Sequence, residues 1–93
     1  MQHWVNNTVD IGDVVGDTKI NILFTGKEGI PKIRSVSTGC GCTSYSYDKK
    51  NRILKVVYRT GRFIKEVKIH RLIKVFYIDG TYDVLGFTGK KIR

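Results

Sequence analysis

The chain has 93 residues, of which 41% are hydrophobic and 27% are charged, the composition of an ordinary globular protein. This length supports one domain, residues 1–93, with a modest core. No apolar run approaches the roughly 18 residues that a membrane-spanning helix needs, and the first residues lack the basic start and apolar centre of a secretion signal. We therefore expect no membrane partner and no secretion by a signal peptide.

Apolar and polar residues alternate along most of the chain, which predicts strands, and no stretch has the apolar spacing of a convincing helix. In chain order the predicted strands cover residues 4–11, 18–25, 30–36, 43–47, 53–59, 66–78 and 81–85. Trp4 is predicted as a core or cap residue, residues 26–29 as a hairpin connection, and Asp79-Gly80 as a hairpin turn. About seven strands predict an all-β protein, a small antiparallel β-sandwich.

Three strands carry more specific predictions. The single proline, Pro31, predicts an edge position or an irregular start for the third strand. In the fifth strand Leu54, Val56 and Tyr58 share one face, and their neighbours share the more exposed one. Arg71 has the parity of the apolar residues in the sixth strand. A break or bulge is predicted near it, because an unpaired arginine is costly to bury.

The net charge of +9 is concentrated in one central segment. Between residues 49 and 74 ten basic residues accompany a single acid, Glu66, whereas charges in the rest of the chain cancel. The ten are Lys49, Lys50, Arg52, Lys55, Arg59, Arg62, Lys65, Lys68, Arg71 and Lys74. So polarised a segment predicts a basic face that binds an acidic partner, although a merely solvated face has the same composition.

Two cysteines lie where the third and fourth predicted strands meet. The motif consists of Cys40, Gly41, Cys42 and Thr43. Glycine permits a sharp bend and small apolar cysteines fill the space beneath it, so we predict structural packing with both thiols reduced. Metal binding with His3 or His70 is the weaker alternative, because Cys-x-Cys with distant histidines lacks the spacing of a structural zinc site. No metal, cofactor or catalytic residue is predicted.

Six stretches together resemble a known family. They are Val9-Asp-Ile-Gly12, Ile22-Leu-Phe24, Ile33-Arg-Ser-Val36, Cys40-Gly-Cys-Thr43, Leu54-Lys-Val-Val-Tyr58 and Lys74-Val-Phe-Tyr-Ile-Asp-Gly80. They resemble small immunoglobulin-like domains of unknown function with a Cys-Gly-Cys-Thr motif, similar to the Hydin and major-sperm-protein class of sandwiches, whose short forms are encoded by tailed bacteriophages. The resemblance implies that the fold is a small immunoglobulin-like antiparallel β-sandwich and that its role is in protein interaction or assembly, and it brings no catalytic residues.

We therefore expect a non-enzymatic structural or protein-interaction module. Because the signal peptide of envelope-attached members is not seen here, the resemblance implies a bacteriophage virion accessory protein, for capsid decoration or associated with the head or tail. It would lie in the virion or the host cytoplasm, dock through its basic face on an acidic surface, and form oligomers through a multi-copy assembly. The alternative is a small basic nucleic-acid-binding protein, whose aromatic residues Tyr58, Phe63, Phe76 and Tyr77 would stack on bases.

Overall fold

The computed structural model describes residues 3–39, 43–60 and 67–92, which form seven β-strands. The strands are β1 (Thr8–Val14), β2 (Lys19–Thr25), β3 (Ile33–Ser37), β4 (Thr43–Asp48), β5 (Ile53–Arg59), β6 (Val67–Tyr77) and β7 (Tyr82–Lys91). These ranges contain no helix, and so none of the length and apolarity needed to cross a membrane. The prediction of an all-β protein with about seven strands is confirmed.

The strands form two sheets, with the orders β1-β7-β6-β3 and β2-β5-β4. The second, fifth and fourth strands share one sheet, and the third, sixth and seventh share the other, as in an immunoglobulin sandwich. Four of the five pairings are antiparallel, as predicted, but β1 runs parallel to β7. The difference arises because β1 and β2 belong to different sheets, so β1 does not form a hairpin with its sequence neighbour.

The connection at residues 26–29 was also predicted incorrectly as a hairpin. β2 pairs with β5, whereas β3 pairs with β6 in the other sheet. The connection therefore crosses from one sheet to the other. Two glycines within a polar stretch indicate a turn but do not indicate which strands it joins. The Asp79-Gly80 prediction is confirmed, because β6 and β7 are adjacent antiparallel strands and Gly80 has a φ of +88°.

Strand alternation supplies a core between the two sheets. In β5, Leu54, Val56 and Tyr58 are buried and the residues between them are exposed or half-buried, as predicted. Facing them from the other sheet are buried side chains that include Phe87, whose ring centroid lies 5.1 Å from that of Tyr58. Truncating such a buried side chain to alanine lowers the free energy of unfolding by about 2–5 kcal/mol, because the transfer free energy of the removed atoms is lost and a cavity is left behind.

Trp4 covers one end of this core. It forms an isolated bridge with Gly26 and is 1% exposed. Its indole Nε1–H donates a hydrogen bond of 2.7 Å to the hydroxyl of Tyr77, which in turn donates one of 2.6 Å to Asp83. Burial, together with the hydrogen bond to Asp83, raises the pKa of Tyr77 far above its ordinary value. The phenol is therefore held in its protonated form, in which it accepts from Trp4 and donates to Asp83.

Two strands contain irregularities that bring their apolar residues onto one face. β3 begins at Ile33, lies at a sheet edge and shifts register between Ile33 and Ser35, which confirms the irregular start predicted from Pro31. β1 shifts register between Asp10 and Asp13. Gly12 adopts a φ of +72° there, a conformation that glycine adopts without steric cost.

The break predicted near Arg71 is absent. β6 pairs with β7 from Val67 to Phe76 without a register shift. Arg71 remains half-buried, with its guanidinium carbon 5.6 Å from the centroid of the Tyr58 ring and its Nη1 donating to the carbonyl of His70. A long arginine side chain covers apolar surface with its stem and stacks its cation on an aromatic face, so the backbone need not be interrupted.

The hydrogen bonds of Tyr77 give a first prediction. Tyr77→Phe leaves the buried Trp4 N–H without its acceptor, and we expect the free energy of unfolding, measured by urea denaturation, to fall by about 1–3 kcal/mol. Tyr82→Phe is the matched control, because Tyr82 is exposed, and it should change the free energy by less than about 0.5 kcal/mol. Equal effects of the two substitutions would show that the buried network does not stabilise the fold.

Candidate functional site

The predicted basic face is not one surface. Its described members fall in separate places: Lys49, Lys50 and Arg52 in the turn between β4 and β5, Lys55 and Arg59 on the outside of the three-stranded sheet, and Lys68 and Lys74 on the outside of the four-stranded sheet. Arg71 is the half-buried cation described above, and Arg62 and Lys65 lie outside the described residues. Because β5 and β6 belong to opposite sheets, their outward side chains point away from each other.

On the outside of the three-stranded sheet, Arg59 is engaged with an acid. It makes hydrogen bonds of 3.2 and 3.3 Å to the carboxylate of Asp17, and these bonds raise the pKa of the guanidinium. The guanidinium is well exposed, so the pair contributes little to stability. It does reduce the positive charge that this surface offers to a partner.

The outside of the four-stranded sheet combines apolar and cationic side chains. We call its outward residues on β6 and β7 the β6–β7 face: Lys68, His70, Leu72, Lys74, Phe76, Tyr82, Val84 and Lys90. Leu72 is 55% exposed, Tyr82 56% and Val84 42%. Neighbouring apolar side chains exposed in the middle of a sheet are typical of a protein interface.

Aromatic rings and cations alternate across this face. The rings of Phe76 and Tyr82 are cross-strand neighbours, with centroids 5.8 Å apart. Lys74 Nζ lies 6.0 Å from the Tyr82 ring centroid, and the guanidinium carbon of Arg34 in β3 lies 5.9 Å from that of Phe76. Sequence reasoning did not associate Arg34 or Tyr82 with the basic segment, because pairing with β6, not nearness in sequence, brings them together.

Like charges also oppose each other on the β6–β7 face. Lys68 and Lys90 are directly paired across β6 and β7, an arrangement that is destabilising unless compensated. Asp13 of β1 lies opposite Lys90 on its other side. An anionic partner would compensate the repulsion between the two lysines. The face therefore favours an acidic ligand with an apolar surface.

A cleft of about 410 Å³ lies at a different place, between the β2–β3 connection and the β4–β5 turn. Its lining includes the apolar residues Ile30, Pro31, Ile33 and Tyr47 and the cations Lys32, Lys49 and Arg52. Burial raises the pKa of Tyr47, and the positive charge of Arg52 opposes this rise. Among the residues that the structure describes, no acidic one lines the cleft.

Arg52 has an unusual backbone in this cleft. Its φ is +55°, and it is the one non-glycine residue with positive φ in the described ranges. Two features hold this conformation: the N–H of Gly26 donates a 2.7 Å hydrogen bond to the Arg52 carbonyl, and the Asp48 carboxylate binds the backbone N–H groups of Lys50 and Asn51. Left-handed backbone costs an arginine about 1–2 kcal/mol, and such strain is concentrated at functional sites.

A second cleft, of about 450 Å³, adjoins the β6–β7 turn and contains His3 and Asp79. The His3 ring packs edge-on against Tyr77, whereas His70 lies roughly 20 Å away along β6, so one ion cannot bind both. Residues 3–39, 43–60 and 67–92 contain no group of three or more possible metal ligands. Cys40, Gly41 and Cys42 lie outside the described residues. Thr43, the described member of that motif, is buried.

The chain matches no family model, no curated protein and no solved structure. Its class therefore rests on its own strand order, which is that of a small all-β sandwich with two sheets.

The strained arginine gives a second prediction. Arg52→Gly relieves left-handed strain of about 1–2 kcal/mol and costs about 0.5–1 kcal/mol in chain entropy. We expect the free energy of unfolding to rise by up to about 1 kcal/mol in urea denaturation. Lys50→Gly in the same turn, where φ is not positive, should lower it. A decrease of the same size in the free energy of unfolding of both variants would contradict backbone strain at Arg52.

A third prediction concerns the stability of the fold at low pH. Hydrogen bonds from Asn51 lower the pKa of Asp48, and hydrogen bonds from Thr81 lower that of Asp79. A carboxyl whose folded pKa lies below its unfolded value stabilises the fold above about pH 4, and this contribution is lost as the pH falls through the folded pKa. The free energy of unfolding should therefore decrease on acidification.

The double variant Asp48→Asn, Asp79→Asn tests the origin of that decrease. Its urea midpoint should depend less steeply on pH between about pH 5 and pH 2. Asn51→Ala, which removes the main hydrogen bond to the Asp48 side chain, should reproduce part of the change. Profiles that coincide with that of the wild type would rule out these two carboxyl groups as the cause.

Proposed function

We propose that the protein is a non-enzymatic interaction module that docks on the acidic surface of another protein through its β6–β7 face. The observation that carries the proposal is the exposure of Leu72, Tyr82 and Val84 in the middle of a sheet, among cations. Protein interfaces combine an apolar, aromatic centre with a polar rim, and this face has that composition. Tyrosine is also among the residues that most often dominate binding energy at interfaces.

Only two members of the predicted basic segment, Lys68 and Lys74, take part in this proposal. Arg34 and Lys90 join them through strand pairing, and His70 lies between them on β6. Lysine and arginine beside aromatic rings keep their apolar stems packed and their charges accessible. Complementary charge on the partner would speed association and fix its orientation more than it would raise affinity.

For the partner, we propose a virion assembly. The support is the resemblance to short immunoglobulin-like domains encoded by tailed bacteriophages, together with the docking chemistry of the β6–β7 face. In this proposal the protein is an accessory component for capsid decoration or at the head or tail, located in the virion or the host cytoplasm. A repeating lattice would bind many copies, which need no contact with one another.

A pair of matched double variants gives a fourth prediction. Leu72→Ser, Lys74→Glu should reduce the copy number per purified particle, measured by mass spectrometry, by about tenfold or more. Leu23→Ser, Lys55→Glu makes the same changes on the outside of the other sheet, where Leu23 is 52% exposed and pairs with Lys55. This control should associate like the wild type, and circular dichroism should show that both variants are folded.

Two results would refute the proposal. One is the absence of the wild-type protein from purified particles. The other is equal association of the two double variants, because the β6–β7 face would then contribute nothing specific.

Nucleic-acid binding is a second candidate function, supported by one observation. Outward aromatic rings with cations above them resemble a stacking platform for single strands, and Phe76 and Tyr82 have this arrangement. Of the other aromatic residues expected to stack, Tyr58 and Tyr77 are buried, and Phe63 lies outside the described residues. Binding of a mixed-sequence oligonucleotide should fall steeply between about 50 and 200 mM salt and weaken in Tyr82→Ala. No binding at the lower salt concentration would eliminate this candidate.

A further inference from the structure

β4 is an edge strand without the usual protection against pairing. It lies at one end of the order β2-β5-β4 and pairs with β5 from Thr43 to Asp48 without a register shift. It contains no lysine, arginine, proline or bulge, and its one charged residue, Asp48, lies at its last position. Edge strands that lack such features present a straight row of backbone N–H and C=O groups to an incoming strand.

The other three edges are protected. β1 has a register shift and carries Asp10 and Asp13. β2 is flanked by the N-terminal segment, where the Val5 N–H donates to the Thr25 carbonyl and Trp4 forms its bridge. β3 has a register shift at its start. Of the edges in the part of the chain that the structure describes, β4 is therefore the one suited to pairing.

Several apolar side chains at the β4 and β3 edges are only partly buried. Tyr45 has the same parity in β4 as the buried Thr43 but is 45% exposed. Tyr47 in β4 and Ile33 and Val36 in β3 are half-buried and pack against the core. A further strand beside β4 would place alternate side chains over this apolar surface.

The cleft at the end of β4 adds positive charge to the same edge. Lys32, Lys49 and Arg52 line it, and none of the three forms an ion pair with any residue that the structure describes. The neighbouring acid, Asp48, already accepts three hydrogen bonds from Lys50 and Asn51 within its own turn. Arg52, whose backbone is left-handed, supplies one of these cations beside the apolar residues of the cleft.

From these observations we infer that β4 and the adjoining cleft bind an extended acidic peptide segment of a partner protein by strand addition. The backbone of the peptide pairs with β4 from Ser44 to Asp48. An apolar side chain covers Tyr47 and Ile33, and carboxylates of the peptide bind the cations of the cleft. Main-chain pairing supplies affinity, and the apolar and charged contacts supply specificity.

This site is separate from the β6–β7 face, and the inference does not depend on the proposed function. An extended peptide fits better than a small anion, because a small anion would leave the β4 edge unpaired. It also fits better than the chain's own acidic edge in a second copy, because β1 is interrupted by its register shift.

The test uses a short blocked peptide that alternates valine with aspartate and glutamate, titrated into isotope-labelled protein and followed by NMR. Chemical-shift changes should be confined to residues 29–33 and 43–52. Two N-methylated versions, each blocking one edge of the peptide, distinguish strand addition from other modes. One of the two should lose binding, because an added strand pairs through a single edge.

Charge variants test the cleft. The double variant Lys49→Gln, Arg52→Gln should lower the affinity for the peptide by about tenfold. The control Lys19→Gln, Lys55→Gln makes the same charge change on the outer face of the three-stranded sheet and should change this affinity by less than about twofold. Leu72→Ser, Lys74→Glu should leave peptide binding intact, so failure here is distinguishable from failure of the β6–β7 face. Any of three results would overturn the inference. They are the absence of chemical-shift changes at millimolar peptide, an equal loss of affinity with both N-methylated peptides, and an equal loss of peptide affinity in the two glutamine variants.

Discussion

β6 is paired on both sides, with β7 along ten consecutive residue pairs and with β3 along its second half. Because side chains in a strand alternate, this uninterrupted register decides which residues enter the core and which face outward. Ile69, Ile73, Val75 and Tyr77 are buried by it, and Leu72 and Lys74 are exposed by it. A slip of one residue would exchange the two sets. The β6–β7 face is therefore a consequence of the same register that builds half of the core.

Nearness in sequence was a poor guide to the charged surfaces. The basic segment crosses from β5 to β6, and these strands belong to different sheets, so its cations are divided between opposite faces and a turn. Composition predicts that an excess of positive charge exists. Its arrangement depends on which strands pair, and alternation within each strand contains no information about its neighbours. Arg34 shows the converse, because a residue outside the segment joins its cations through pairing with β6.

Patterns within short stretches of the sequence predicted much of the fold. Period-two alternation indicated seven strands and the inward side of β5, and Asp79-Gly80 located the β6–β7 turn, since each depends on residues within a few positions. The bounds of two strands were wrong, because β1 is Thr8–Val14, not residues 4–11, and β7 continues to Lys91, beyond residue 85. The parallel β1–β7 pair, the continuous strand at Arg71 and the left-handed Arg52 were missed. Each is imposed by a distant contact: β7 for the first, the Tyr58 ring for the second and the Gly26 N–H for the third. Of the cations on the two candidate surfaces, the sequence indicated Lys49, Arg52, Lys68 and Lys74. It indicated neither their grouping nor the apolar side chains beside them.

The position of Trp4 has a practical consequence. It is the chain's single tryptophan, it is buried, and its indole is hydrogen-bonded to Tyr77. Fluorescence excited at the red edge of protein absorption thus arises from one chromophore at one end of the sandwich. Its emission wavelength and its quenching by added solutes report whether that end is closed. Trp4 is therefore an intrinsic fluorescent probe of the end of the core that it covers, and it can be used without labelling.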